Sequence, residues 1–394
     1  MKINNIFKTS QEGQFGFDFI NEQPVFLVPQ QLYYDKWDKP LDMYKKIRFY
    51  SQILINYSKK KDNDLNSKDS INNLKSLNII IGYVNLMVDY LEHGEFLLLE
   101  NYYNKGNKRI NWNKTLKSDD VIIQNNSVFY GTMISKSKRK NSNNEFLYLY
   151  QYALSESLSI FKNGSSHISN IDNKYSLNQI KHIITKYDDE HFSDRDEYIV
   201  LALKSIYFNS DFDKINENKF KTPYHEKFEF IWEHMIERIL PKEAKIKNLK
   251  LPKGKYTIFN SGLTVSGSDY RLDHIIISSI NRSIHILDSK FYNFYYNGSA
   301  PKTESISKQE NYKHIVKELV KNQYTNFHIF NYFIFPKSNI GENIDYFAKH
   351  EIEFTDGAKE QVIHCIAINI DYVIQLYLDQ KVSNKLFNKI INTT

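Results

Sequence analysis

The succession of apolar and polar positions divides the chain into elements. Residues 13–35 (GQFGFDFINEQPVFLVPQQLYYD) hold two apolar runs around the turn-forming Asn21-Glu22-Gln23-Pro24, the pattern of a β-hairpin. LDMYKKIRFYSQILINYSKK and the stretch from Leu74 to about Glu92 place apolar residues at helical spacing, and the polar KKKDNDLNSKDSINN between them reads as a surface loop. VIIQNNSVFYGTMISKSKRK has strand-like runs, with Lys136 to Lys140 as a basic hairpin tip. EFLYLYQYALSESLSIFKN is helical, residues 163–175 form a loop, and two helices fill 176–209.

SDFDKINENKFKTP is charged, short of core residues and closed by Pro223. It divides an N-terminal region, 1–215, from a C-terminal domain, 216–394. In the second part YHEKFEFIWEHMIERIL predicts an amphipathic helix, and TIFN, YRLDHIIISSI and SIHILDSKFY predict three strands. ESISKQENYKHIVKELVKN predicts a helix and FHIFNYFIFP a strand ended by Pro336. A short helix, the strand QVIHCIAINI and a terminal helix DYVIQLYLDQKVSNKLFNKII complete the order. Helices and strands thus alternate around one sheet, a mixed α/β (α+β) class with a central mixed sheet flanked by helices.

Composition narrows this picture little. With 394 residues, two domains are the natural expectation. A hydrophobic fraction of 41% and a charged fraction of 25% fit a globular protein. The net charge of +6 permits a polyanionic partner without requiring one. Cys365 is the single cysteine, which excludes an internal disulfide and favours a cytoplasmic location. MKINNIFKTSQEGQF lacks the apolar core of a signal peptide, and SLNIIIGYVNLMVDYLEHG is interrupted by Asn85 and Asp89 and too short to span a bilayer. No G-x4-G-K-[ST] and no G-x-S-x-G occurs, and no histidine has zinc-ligand spacing with a cysteine pair.

The candidate chemistry lies at SIHILDSKFY, an apolar strand that finishes on Asp288, Ser289 and Lys290. Two other D-x-K triplets, at Asp172 and Asp379, fall in a polar loop and on an expected helix, so the triplet alone carries little. Here the preceding strand brings its own acid, Asp273, and the short SSINRS turn brings Asp273 towards Asp288. Upstream, Glu229 and Glu233 lie four apart on one helix face. Converging carboxylates stay ionised together only around a cation, and a dense set of hard oxygens favours Mg²⁺ or Mn²⁺. Such a set with a lysine suits hydrolysis of a phosphodiester. The plain alternative is a solvated ion pair at a strand end, which contributes little.

The ordered set of helix Glu, Asp273, Asp288, Lys290, Gln309 and Tyr312 resembles the PD-(D/E)xK nuclease superfamily, with Leu272 in place of the proline. GNKRINWNKT resembles the signature of LlaJI-type restriction endonucleases and the related McrC subunits, and HEKFEFIWEHM resembles their Phe-Glu…Trp-Glu helix. The resemblance implies a restriction-endonuclease-like C-terminal domain that cuts double-stranded DNA in a restriction, phage-defence system. It implies Asp273 and Asp288 as metal ligands, Lys290 as the catalytic lysine, and Glu229 or Glu233 as the completing acid. Gln309, Tyr312 and Lys308 would support the site or touch DNA. It further implies a McrB-like AAA+ GTPase partner and methyltransferases of the same system, and is compatible with an oligomer.

Arg109, Asn111 and Lys114 are candidate DNA contacts, with Trp112 either among them or a packing anchor for its loop. The second function class is an inactive DNA- or partner-binding protein on a nuclease-like fold. The N-terminal region is expected to recognise DNA or to dock the partner.

Overall fold

The computed structural model describes residues 6–21, 23–33, 37–64, 68–106, 109–117, 121–125, 127–140, 144–161, 171–189, 193–209, 224–241, 251–258, 263–269, 271–292, 294–297, 300–338, 342–353 and 359–392. Strands β1 (Phe7–Ser10), β2 (Gln14–Ile20) and β3 (Gln23–Pro29) come first, then helices α1 (Pro40–Asp64) and α2 (Lys68–His93). They are followed by β4 (Leu99–Lys105), α3 (Trp112–Thr115), β5 (Val121–Gln124), β6 (Ser127–Tyr130) and β7 (Ile134–Lys140). Helices α4 (Glu145–Ile160), α5 (Leu177–Asp188) and α6 (Asp194–Tyr207) close this half. The second half runs β8 (Tyr224–Lys227), α7 (Phe228–Ile239), β9 (Lys253–Ile258), β10 (Leu263–Asp269), β11 (His274–Ser278) and β12 (Ser283–Ser289). It ends with α8 (Phe294–Asn297), α9 (Thr303–Val320), β13 (His328–Lys337), β14 (Ile344–Glu353), β15 (Lys359–Asn369), α10 (Ile370–Leu378) and α11 (Asn384–Ile391).

The expected hairpin forms as β2 and β3, with Asn21 at φ 51 in its turn. β1 adds to β3 in parallel, and β8 adds to β2 antiparallel, giving the order β1-β3-β2-β8. The segment 224–227, expected as the start of a helix, is therefore a strand of the N-terminal sheet. The helix begins only at Phe228, whose N–H reaches the Gly13 carbonyl at 2.9 Å. Gly16 is required at the crossing with β8: its φ is +139, and a Cβ there would lie 2.2 Å from the Tyr224 carbonyl oxygen.

Behind this sheet α1, α2, α4, α5 and α6 pack together, and each exposes its polar face. The acid that interrupts the apolar α2 is explained by packing. Asp89 is buried, and Arg195 of α6 grips it with Nε–Oδ1 at 2.8 Å and Nη2–Oδ2 at 2.9 Å. Where α2 and α6 cross, Gly82 allows the contact, since a Cβ would meet Ile206 Cγ1 at 2.6 Å. Most of 59–73, read from sequence as a loop, is helix: α1 continues to Asp64 and α2 starts at Lys68. These stretches are rich in Asp, Asn and Ser, which are weak helix formers, and carry no apolar stripe, so the pattern was silent there.

The second half holds a five-stranded sheet in the order β11-β12-β13-β15-β14. β12, β13 and β15 are parallel, and β11 and β14 pair antiparallel at the edges. Every residue of β12 is buried, as a strand covered on both faces requires. Ile284 and Ile286 pack with Tyr312, Val316 and Val320 of α9. Leu287 joins the large core that also holds Trp232 of α7 and Val373 of α10. That core runs without a break from Phe15 and Phe26 into the second half, through the ring pair Phe15–Phe228 at 4.8 Å. The expected boundary stretch 210–223 lies outside the described residues.

Several local expectations change. The segment after β13 is the edge strand β14 rather than a short helix, and β13 includes Pro336. The terminal helix is broken into α10 and α11, with Gln380 at φ 56 between them. β9 pairs with β10, a strand the sequence reading passed over. Lys136 to Lys140 lie within β7, paired to β4, not at a hairpin tip.

Candidate active site

β11 and β12 form the hairpin that the turn predicted, with His274 opposite Leu287. Asp273 stands immediately before β11, and Asp288 lies near the end of β12, so the hairpin brings both acids to the same end of the sheet. The Ser289 N–H donates to Asp273 Oδ2 at 2.9 Å and fixes that carboxylate across the strand pair. Lys290, one residue past β12, is held by its own N–H to the Ile334 carbonyl of β13 at 2.9 Å. Its Nζ lies 2.6 Å from Asp288 Oδ2. Among the described residues no donor is aligned for a regular hydrogen bond to that buried oxygen, so the contact is an ion pair without hydrogen-bond geometry. Lys308 Nζ, on α9, approaches the other oxygen of Asp288 at 3.8 Å.

The cluster is electrostatically tense. Burial, then the charges of Asp288 and Glu233, push the Asp273 carboxyl up to about 7, and the Ser289 N–H opposes them in part. Burial and then the charge of Asp288 likewise raise Glu233, with Lys290 and Lys308 pulling the other way. Burial works to lower Lys308, but Asp288, Tyr312 and Asp273 together outweigh it and the ammonium is held above its ordinary value. Of the two helix acids, Glu233 is half-buried and interacts with both aspartates. Glu229 is exposed one turn earlier and lines an adjoining cleft.

Gln309 and Tyr312 do not face open solvent. Both are buried on α9 and tie it to the strands that carry the acids. Gln309 Nε2 donates to the Ile286 carbonyl at 3.1 Å, and the Tyr312 hydroxyl donates to the Arg271 carbonyl. Three neighbours are given no role by the sequence. His274 Nε2 meets Ser289 Oγ at 3.1 Å. Asn331 Nδ2 donates to the Gln309 carbonyl at 3.2 Å. Phe291, beside Lys290, packs on Phe228 at 4.6 Å. An asparagine inside the apolar run FHIFNYFIF was the signal available for the second.

The other sequence candidates form a separate patch whose hydrogen bonds and ring contacts lie within residues 103–136. Asn111 caps α3, its Oδ1 accepting from the Lys114 N–H at 3.1 Å. The Arg109 carbonyl accepts from Lys136, and Lys114 Nζ lies 3.5 Å from the Tyr103 ring centroid. Trp112 is 53% exposed with its ring edge on Tyr130, so it is not a buried anchor.

The carboxylates of Asp273, Asp288 and Glu233, which act on one another through their charges, are of the hard-oxygen donor type that suits Mg²⁺ or Mn²⁺. Among the described residues no group of three His, Cys, Asp or Glu side chains stands close enough to hold a metal ion. Lys290 neutralises part of the charge of Asp288. Among the described residues no helix is long and apolar enough to cross a membrane.

A model of the LlaJI restriction endonuclease family matches residues 16–381. No curated protein matches the chain.

Proposed function

The chain belongs to the LlaJI restriction endonuclease family, so DNA is its substrate, and we propose that it hydrolyses DNA phosphodiesters at the Asp273, Asp288, Glu233 and Lys290 cluster in a Mg²⁺- or Mn²⁺-dependent reaction of the PD-(D/E)xK type. The observation that carries this is the hairpin that joins Asp273 to Ser289 while Lys290 sits 2.6 Å from Asp288. Asp273 and Asp288 would hold the ion and Glu233 would complete its surroundings. When bound, the cation lowers the pKa of water and neutralises charge on a phosphoryl oxygen. Lys290 supplies a fixed positive charge beside the reacting phosphate and orients the attacking water; loss of one such charge typically costs ~3–4 kcal/mol of barrier. Lys308 adds a second cation at the mouth, and Gln309 and Tyr312 hold the two acid-bearing segments in register.

The resemblance of GNKRINWNKT and HEKFEFIWEHM to McrC-type subunits supports a McrB-like AAA+ GTPase partner, with methyltransferases belonging to the same defence system, and this chain carries no Walker A motif of its own. Cleavage of unmodified plasmid DNA with Mg²⁺, with and without such a partner and GTP, tests the proposal. The inactive-binder alternative draws on two observations: Lys290 already neutralises Asp288, and among the described residues no three-ligand set is assembled. Retained DNA binding without cleavage under all these conditions would favour it.

A further inference from the structure

Beside the acids lies a cleft of about 780 Å³ whose lining includes Glu229 of α7 and Phe291, the residue after Lys290. Its far wall comes from two N-terminal turns. The first, between β1 and β2, carries Gln11; the second, after β3, carries Gln30 and Gln31. The side-chain amides of these three glutamines make no hydrogen bond to any described residue, although the turns that carry them are firmly held. Ser10 Oγ accepts the Gln14 N–H at 2.9 Å, and the Gly13 carbonyl accepts from Phe228 at the start of α7. The second turn is pinned where the Leu32 carbonyl accepts from the buried Tyr50 hydroxyl at 3.2 Å. Gln11 and Gln30 are exposed and Gln31 is half-buried, so on these held turns their amides are open to a ligand that needs both donors and acceptors.

The charge of the lining narrows the ligand. Glu12 and Glu229 face a single ammonium, that of Lys227, so this wall does not attract phosphates. Affinity for a DNA backbone comes from cations, whereas glutamine reads base edges through paired donor and acceptor contacts. Tyr33 and Phe291 add apolar ring surface on which a base or a thymine methyl can rest.

We propose that this cleft receives the base pairs flanking the scissile phosphodiester, and that Gln11, Gln30 and Gln31 give the nuclease a base preference at the cut itself. This rests on the cleavage site proposed above. It is separate from whatever selects the target at a distance.

Two measurements test it on the full chain. The first maps cut ends by sequencing after digestion of a randomised DNA library, with partner and GTP supplied. Wild type should show a base preference beside the cut, and Q11A/Q30A/Q31A should flatten it about tenfold at one or more positions while total cleavage persists. A uniform wild-type profile, or one unchanged in the triple variant, overturns the proposal. The second needs no cleavage: p-benzoylphenylalanine is placed at position 30 or 308 in a Lys290→Ala background with duplex DNA. Crosslinking at both positions supports the cleft. Crosslinking at 308 alone overturns it and spares the cleavage site. Crosslinking at neither removes the cleavage site as well, and the proposal with it.

Discussion

The Tyr312 hydroxyl donates to the main-chain carbonyl of Arg271, two residues before Asp273. Three residues earlier on the same helix, Gln309 reaches the carbonyl of Ile286, two residues before Asp288. One helix thus governs the relative placement of both acids. Tyr312→Phe removes the first tie without leaving a cavity, so stability should fall by only about 1 kcal/mol. The turnover rate should fall about tenfold or more, with KM little changed, because misplacement of the acids affects the reaction more than binding. Gln309→Ala should cost about 1–3 kcal/mol by leaving interior carbonyls short of a donor. Urea unfolding and steady-state cleavage measured on the same preparations check both.

Glu233 and Glu229 separate cleanly. Glu233 feels Asp288 and is felt by Asp273, whereas Glu229 faces the neighbouring cleft. Glu233→Gln should lower cleavage about a hundredfold, the scale of one displaced group in an active site. Glu229→Gln should leave cleavage within a few-fold of wild type. Equal losses in the two variants would mean that both acids serve the metal.

The repulsion that raises Asp273 should be relieved by a cation. Mg²⁺ or Mn²⁺ at concentrations well above its Kd should therefore raise Tm by a few degrees. Asp273→Asn and Asp288→Asn should each abolish the shift. A wild-type Tm indifferent to either ion, with and without DNA, would remove the metal from the account.

Much of this site was visible in the sequence because its parts are local. The D-x-K strand end, the short SSINRS turn and the apolar run between them fix which side chains meet, and the shortness of the turn sets the hairpin register. The choice between Glu233 and Glu229 was not visible, since one helical turn separates them and only the packing of α7 on the sheet decides which is covered. The strand Tyr224–Lys227 was hidden for a similar reason. YHEK has no apolar alternation, and it becomes a strand because β2, some two hundred residues earlier in the chain, offers it an edge. The Asp89–Arg195 pair also joins residues far apart in sequence, and nothing at either position announces the other.

Acid stability should report on His285. Burial, with His364 nearby adding to it, lowers its pKa to about 4. Its ring is held between Ser283 Oγ at 2.8 Å and the Tyr332 hydroxyl at 3.1 Å. Between pH 6.5 and about 4 the unfolded chain takes up a proton that the folded one refuses. Stability is therefore whole above pH 6.5 and declines as pH falls towards 4, by up to about 3 kcal/mol from this group. His285→Gln should remove that part of the slope, visible as a flatter Tm against pH than in wild type.

The central claim is that Lys290 acts in phosphodiester cleavage and is not a solvated strand end. The direct measurement is cleavage of unmodified plasmid DNA with Mg²⁺ and a McrB-like GTPase partner, comparing wild type with Lys290→Ala. The account predicts loss of about a hundredfold or more in the variant, with folding and DNA binding retained. Cleavage by Lys290→Ala at the wild-type rate would contradict it.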